Sequence, residues 1–175
     1  MAISNAYHLV RPRCWPVTIW LVAAPVIEYA GTHEFSLTPE ELWAAIERVD
    51  RFGGYWGWLQ EFRLEGNGLS KGSVLHGVVA PPLPYRMRIR VCIVRSVEHV
   101  LIDAEVHGDL EGVAHMQMQP SPRGTTVTIR WTVEMMQRPM RLANRFAHPL
   151  LQWGHDRVVE MTLRGLPAEF GYLGR

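Results

Sequence analysis

Between Tyr85 and Met135 apolar and polar residues alternate through four successive runs, and beyond Pro139 the alternation gives way to a period of about 3.6 residues. A chain patterned this way makes an antiparallel sheet with one buried face and then covers that face with a helix. In the first run Tyr85, Met87, Ile89, Val91 and Ile93 face inward, while Arg86, Arg88, Arg90 and Cys92 face water. Val100, Ile102, Ala104 and Val106 form the second inward row, against outward Leu101, Asp103, Glu105 and His107. Ala114, Met116 and Met118 make the third, and Val127, Ile129, Trp131, Val133 and Met135 the fourth. Gly108 to Gly112 and Pro120 to Gly124 read as the turns that separate the last three runs.

Upstream, Ile27, Tyr29, His33, Phe35 and Leu37 share one side of a further strand. Thr38-Pro39-Glu40-Glu41 then carries a capping box, with Pro in the first helical turn. Leu42, Ile46 and Val49 continue it as a short amphipathic helix to about Asp50. Gly53 and Gly54 end that helix, and an aromatic turn follows through Tyr55, Trp56 and Trp58. Turn signals at Gly66-Asn67-Gly68 and Lys71-Gly72 flank two more strands, and Pro81-Pro82-Leu83-Pro84 imposes a break. In the C-terminal helix Leu150, Gly154, Val158, Met161 and Gly165 fall on one stripe, with Gln152, Asp156, Glu160 and Arg164 broadly opposite. Pro149 predicts a kink or restart, and Leu166-Pro167 the end. From Leu150 that helix is ~25 Å long, enough to cross a sheet.

At 175 residues the chain fits one domain. Its 18 basic residues balance 17 acidic ones, so no charge surplus points to nucleic acid. Only Cys14 and Cys92 occur, without CxxC spacing. That excludes a disulfide scaffold and a zinc site and makes a reducing cytoplasm the expectation. No phosphate-cradling glycine loop, GxSxG or HExxH appears, so neither a cofactor nor a metal is expected. Cys14 to Ala30 is mostly apolar behind Arg11 and Arg13. Pro16, Pro25 and Glu28 interrupt it, which reads as the lead-in to the first strand and not as a secretory signal or membrane anchor.

The buried helical stripe carries Gly154 and Gly165, with Thr162 at its edge. Gly within a helix costs about 1 kcal/mol relative to Ala. Either these glycines let the helix touch the sheet closely, or they leave volume that a ligand can occupy. Met87, Met116, Met118 and Met135 face them, and Met suits both ordinary core and adaptable pockets.

Among titratable groups, His33 has inward phase and can hydrogen-bond a ligand or act as a base; it can equally be a satisfied core histidine. Tyr29 and Tyr85 also point inward and offer hydroxyls. Trp131 is core or pocket wall. His155 flanks the buried stripe and suits a cap or a bond to a strand end. His148 and His155 lie ~10 Å apart along the helix, too far to share a metal. His107 and His115 can pair across their hairpin on the wet face, where Asp103, Glu105 and Glu134 also point.

The order of strand, capped helix, aromatic turn, meander and long terminal helix resembles the α+β helix-grip fold of the SRPBCC superfamily, which includes START domains and polyketide cyclase/dehydrase-like proteins. The Phe35–Trp43 segment resembles its strand-to-helix opening, and Asp50-Arg51-Phe52 with Tyr55-Trp56 its aromatic turn. Gly72-Ser73 resembles the start of its third strand, and Gly108–Gly112 and Gly124–Thr128 its later turns. Trp153-Gly154-His155-Asp156-Arg157-Val158 resembles a Trp-Asn-His-Asp helix signature of bacterial cyclase-like members, with Gly154 in place of the Asn. The resemblance covers residues 26–167, leaving 1–25 as an unassigned extension and 168–175 as a tail.

It implies a deep apolar pocket between a curved sheet and the terminal helix, lined by Tyr29, His33, Phe35, Tyr85, Met87, Ile89, Met116, Met118, Trp131, Val133, Leu150, Gly154, Val158 and Met161. It further implies that the chain carries or sequesters a small hydrophobic molecule of lipid or polyketide type. The alternative it implies is a polyketide cyclase or aromatase, with His33 and Tyr85 as the candidate catalytic groups. A third reading makes the Trp56/Trp58 loop or the N-terminal segment a docking surface for a partner. No nucleic acid or integral membrane segment is expected, and the chain is read as a monomer or homodimer.

Overall fold

A computed structural model describes residues 26–137 and 152–174. The N-terminal segment, Pro139, His148, Leu150 and the expected kink at Pro149 lie outside the described residues.

Eight antiparallel strands form one sheet in the order β2-β3-β4-β5-β6-β7-β1-β8. β1 (Val26–Phe35) pairs with β7 (Gly124–Met135) along its whole length, from Val26 opposite Glu134 to Phe35 opposite Thr125. β2 (Leu59–Glu65), β3 (Val74–Val79), β4 (Met87–Val97), β5 (Leu101–Gly108) and β6 (Leu110–Ser121) complete the meander. Register breaks at Gln60/Arg63 and Ile93/Arg95 add local bend and twist. The inward rows expected from β1, β4 and β7 are on the inner face, because a period of two cannot change face without a bulge.

Several details of the sheet differ from the sequence reading; the turn expected over Pro120–Gly124 is one, since β6 runs to Ser121, opposite Gly124 at the start of β7. Alternation places Val100 inward, but it sits in the β4–β5 turn, 42% exposed, since strand pairing resumes only at Leu101. The turn expected over Gly108–Gly112 is tighter: β5 ends at Gly108 and β6 begins at Leu110, so Gly112 lies inside a strand opposite Val106 and Val133. The Glu111 carboxylate accepts from the Gly108 N–H at 3.0 Å, tying the turn together. At the C-terminus, residues 172–174 add a short strand, β8 (Tyr172–Gly174), to β1 at Glu34 and Phe35.

α1 (Pro39–Ile46) starts at the expected capping box. Thr38 Oγ1 accepts from the Glu41 N–H at 3.3 Å, and the Glu41 carboxylate accepts from the Thr38 N–H at 3.0 Å. The helix stops four residues short of Asp50, and a 3-10 turn (Val49–Arg51) leads into α2 (Phe52–Tyr55). α3 (residues 152–164) lies across the inner face and is followed by a 3-10 turn (Ala168–Phe170).

The inner face is covered in two unlike halves. At one end Phe35, Leu42, Trp43, Val49, Ile93, Met118, Val127 and Phe170 interlock beneath α1 and the 168–170 turn. At the other, Ile27, Val79, Met87, Val106, Val133 and Met135 form a second cluster that faces α3.

Candidate functional site: a cavity between sheet and α3

Beneath α3 the second cluster does not meet the helix flush. A cavity of about 340 Å³ separates them, within the range that holds drug-sized ligands. Its floor comes from the inner rows of β1 and of β3 through β7. Gly154, His155, Val158, Val159, Thr162 and Leu163 of α3 form the roof, and Trp58, Pro81 and Tyr85 also line it.

Of the side chains expected from the sequence, Tyr29, His33, Tyr85, Met87, Ile89, Trp131, Val133, Gly154 and Val158 line this space. Four others do not. Phe35 and Met118 are buried in the first cluster and Met116 packs against it, because their inward rows run on past the cavity to the filled end of the sheet. Met161 belongs to α3 but misses the cavity, because the lining stripe is rotated about a quarter turn from the expected one. Thr162, placed at the edge by the sequence pattern, is a lining residue. Leu150 lies outside the described residues.

Gly154 lies within α3 but Gly165 falls in the turn just past its end, and the two have different neighbours. A Cβ at Gly165 would come within 3.0 Å of the Trp56 ring and 3.3 Å of the Tyr55 carbonyl, so this glycine serves close packing. A nearby anchor is the Trp56 N–H, which donates to the Thr162 carbonyl at 3.1 Å. A Cβ at Gly154 would meet Leu83 Cδ1 at 2.6 Å and the Tyr85 hydroxyl at 3.5 Å. Gly154 thus admits the 81–85 loop against the helix while lining the cavity.

Polar groups at the walls are few and mostly engaged. Tyr29 and Trp131 are paired across β1 and β7, and their rings stack at 4.3 Å. The Trp131 indole N–H donates to His155 Nε2 at 3.1 Å. An indole can only donate, so His155 carries its proton on Nδ1, 3.1 Å from the Asp156 carboxylate. The expected bond from His155 to a strand is therefore present, but to mid-β7 and not to a strand end.

His33 is 1% exposed. The Tyr29 hydroxyl lies 2.8 Å from its Nε2 and the Tyr172 hydroxyl 3.4 Å from its Nδ1. Gly31, between Tyr29 and His33 on the same face, makes the first contact possible. A Cβ there would stand 2.2 Å from the Tyr29 hydroxyl, so the ring lies over bare backbone to reach His33. Burial pushes the Tyr85 phenol up from its ordinary value of 10.0.

No Asp, Glu, Lys or Arg lines the cavity among the described residues. The charged groups take the outer face, as the alternation requires. His107 and His115 do not pair with each other there: His107 binds Glu111 at 2.9 Å and Glu105 at 3.4 Å, and His115 binds Asp103, its register partner on β5. Among the described residues no cluster of His, Cys, Asp and Glu is placed to hold a metal, and no helix is long and apolar enough to cross a membrane.

Several lining residues escape the sequence pattern, Val79, Leu110, Val159 and Leu163 among them. It marks Trp58 only as part of an aromatic turn, and Trp58 lines the cavity. It places Ala114 inward without showing that this small side chain keeps the floor low.

No protein-family model and no curated protein sequence matches the chain. Solved structures do. TTHA0849 from Thermus thermophilus aligns with a TM-score of 0.63 at 15% identity, over 83% of this chain and 97% of that one. Ara h 8.0201 aligns at 0.53 and 14% identity, over 80% and 97%. The di-domain ARO/CYC StfQ from the steffimycin biosynthetic pathway aligns at 0.54 and 10% identity, over 78% of this chain and 49% of that one. With the strand order and the placement of α3, these likenesses show that the chain has a helix-grip fold.

Proposed function

We propose that this protein binds one small, mostly apolar molecule between its sheet and α3, as a carrier or sequestering protein. The observation that carries this reading is the cavity of about 340 Å³, whose described walls hold no charged side chain. Leaving such a volume empty forfeits packing contacts that α3 and the sheet would otherwise make. An apolar guest restores them and gains roughly 25 cal/mol per Å² removed from water, less the costs of association.

The uncharged fluorophore N-phenyl-1-naphthylamine tests the reading. It is expected to brighten and saturate at one molecule per chain. Ala114→Phe, which raises the cavity floor, is expected to abolish that signal while keeping the thermal midpoint at or above the parent's. No saturable signal from the parent, or equal binding by folded Ala114→Phe, contradicts it.

A second reading, a cyclase or aromatase acting in the same cavity, is favoured by one observation: the Tyr29–His33 pair at the wall. Such a pair can pass a proton to a bound substrate, and a shaped cavity lowers the entropic barrier to ring closure. On this reading Tyr29→Phe and His33→Gln abolish turnover of a bound polyketide-like substrate without preventing its binding. Unchanged turnover in both variants rejects it.

A further inference from the structure

A hydrogen bond crosses from the sheet to α3: the Trp131 indole N–H of β7 donates to His155 Nε2 at 3.1 Å. Both side chains line the cavity, so this bond joins its floor to its roof. The His155 side chain is only 11% exposed, so bulk water screens the bond little. A second tie on the helix is of a different kind. The Trp56 N–H donates to the Thr162 carbonyl at 3.1 Å, and neither group titrates. Facing the His155 ring are Tyr29 from β1, with ring centroids 6.0 Å apart, and Trp131 from β7, at 5.5 Å. From its own helix comes Asp156, whose carboxylate lies 3.1 Å from Nδ1 and also accepts from the Gln152 amide at 2.9 Å. Among the described residues Asp156 is the one charged group within ion-pair distance of the imidazole.

Resting on the binding reading above, we infer that His155 is a proton-sensitive tie: neutral, it holds α3 over the ligand, and protonated, it lets the helix go and the ligand leave. Indole only donates, so Trp131 needs an acceptor, and a neutral imidazole has one. Nδ1 already carries the proton that faces Asp156, so a second proton has to enter at Nε2. Two N–H groups then confront each other where a donor met an acceptor. The Trp131 N–H loses its partner inside the wall, and an unsatisfied donor there costs more than a typical hydrogen bond gains. The Tyr29 hydroxyl is no substitute acceptor, because it is engaged with His33. The Trp56–Thr162 bond has no titrating member and persists, so the helix stays anchored there while the end that carries Gly154 and His155 lifts from the sheet. Histidine is the side chain that changes charge between neutral and mildly acid pH, which makes it the group suited to such a tie. Because the ligand favours the tied form and the second proton the open one, each opposes the binding of the other.

The test measures binding of N-phenyl-1-naphthylamine, uncharged throughout this range, to the full chain at pH 8 and at pH 5. The parent is expected to bind about tenfold more weakly at pH 5, the scale of one hydrogen bond lost. Glutamine offers an amide oxygen as acceptor and does not titrate, so in His155→Gln the ratio between the two pH values is expected to fall to near one, whatever the affinity itself. His33, His107 and His115 all remain in that variant, so they cannot account for the difference. A second readout needs no variant to fold: in nitrogen-15 correlation spectra of the ligand-free parent, one tryptophan indole proton is expected to move upfield between pH 8 and pH 5, as it loses its acceptor. Equal affinities at the two pH values in the parent, a ratio that persists in folded His155→Gln, or indole signals that ignore pH overturn the tie and leave the cavity reading standing. Failure of the fluorophore to bind at either pH overturns the two together.

Discussion

At the scale of single residues, the chemistry of the cavity depends on side chains whose partners arrive from elsewhere in the chain. Tyr29 reaches His33 only because Gly31 adds no Cβ beneath its ring. Gly31→Ala forces the ring away or shifts β1 against β7, and overpacking of this kind costs about 1–3 kcal/mol. Urea denaturation is expected to show that loss; a Gly31→Ala chain as stable as its parent would mean that the ring is not held against the strand.

The inward phases of Tyr29, His33, Tyr85 and Trp131 were legible in the sequence, because alternation decides the face of a strand. Which end of that face stays hollow was not. Phe35, Met116 and Met118 have the same phase as the lining residues and differ only in their distance along the sheet from α1 and Phe170. The partner of the Trp131 indole was equally illegible, since which acceptor a donor finds depends on contacts that no local pattern encodes.

At the scale of elements, legibility follows the strength of the local signal. The capping box of α1 is a local device and appears where the sequence places it. The phase of α3 is not local. Close packing of Gly165 against Trp56 and of Gly154 against Leu83 turns the helix so that Thr162 and Val159 face the cavity in place of Met161. β8 is three residues long and exists because β1 offers an edge at Glu34 and Phe35, so no periodicity announces it.

The β5–β6 hairpin shows how outward charges staple a turn. The hydrogen bond to Glu111 raises the His107 pKa above its ordinary 6.5, with Glu105 adding to it. The Gly108 N–H, followed by His107, lowers the Glu111 pKa below its ordinary 4.5, and Arg90 of β4 acts in the same direction. A raised histidine pKa stabilises the fold fully below 6.5 and loses that effect as pH climbs through the folded value. A lowered carboxylate pKa stabilises above 4.5 and loses its effect as pH falls through the folded value. The staple is therefore strongest between these two limits. His107→Gln is expected to lower the thermal midpoint most in that window and progressively less toward alkaline pH. A deficit that stays constant or grows with rising pH contradicts this assignment.

At the scale of the whole molecule, one curved sheet does two jobs with its two ends. Leu42, Trp43, Ile93, Met118 and Phe170 pack together at the first end. The second end is free to be under-filled because the first supplies a packed core of its own. Covering the sheet with a helix was readable from the switch of period; whether helix and sheet meet flush was not, since Gly and Met residues fit both outcomes. The geometry resolves the two glycines in different senses, Gly165 toward contact and Gly154 toward both contact and cavity.

Diffraction from a crystal pressurised with xenon reads that hollow most directly, because xenon enters dry apolar cavities and reports their position. A xenon peak bounded by Met87, Trp131 and Val158 is expected beneath α3. An undisturbed map in which protein side chains occupy that volume and no xenon enters would contradict it.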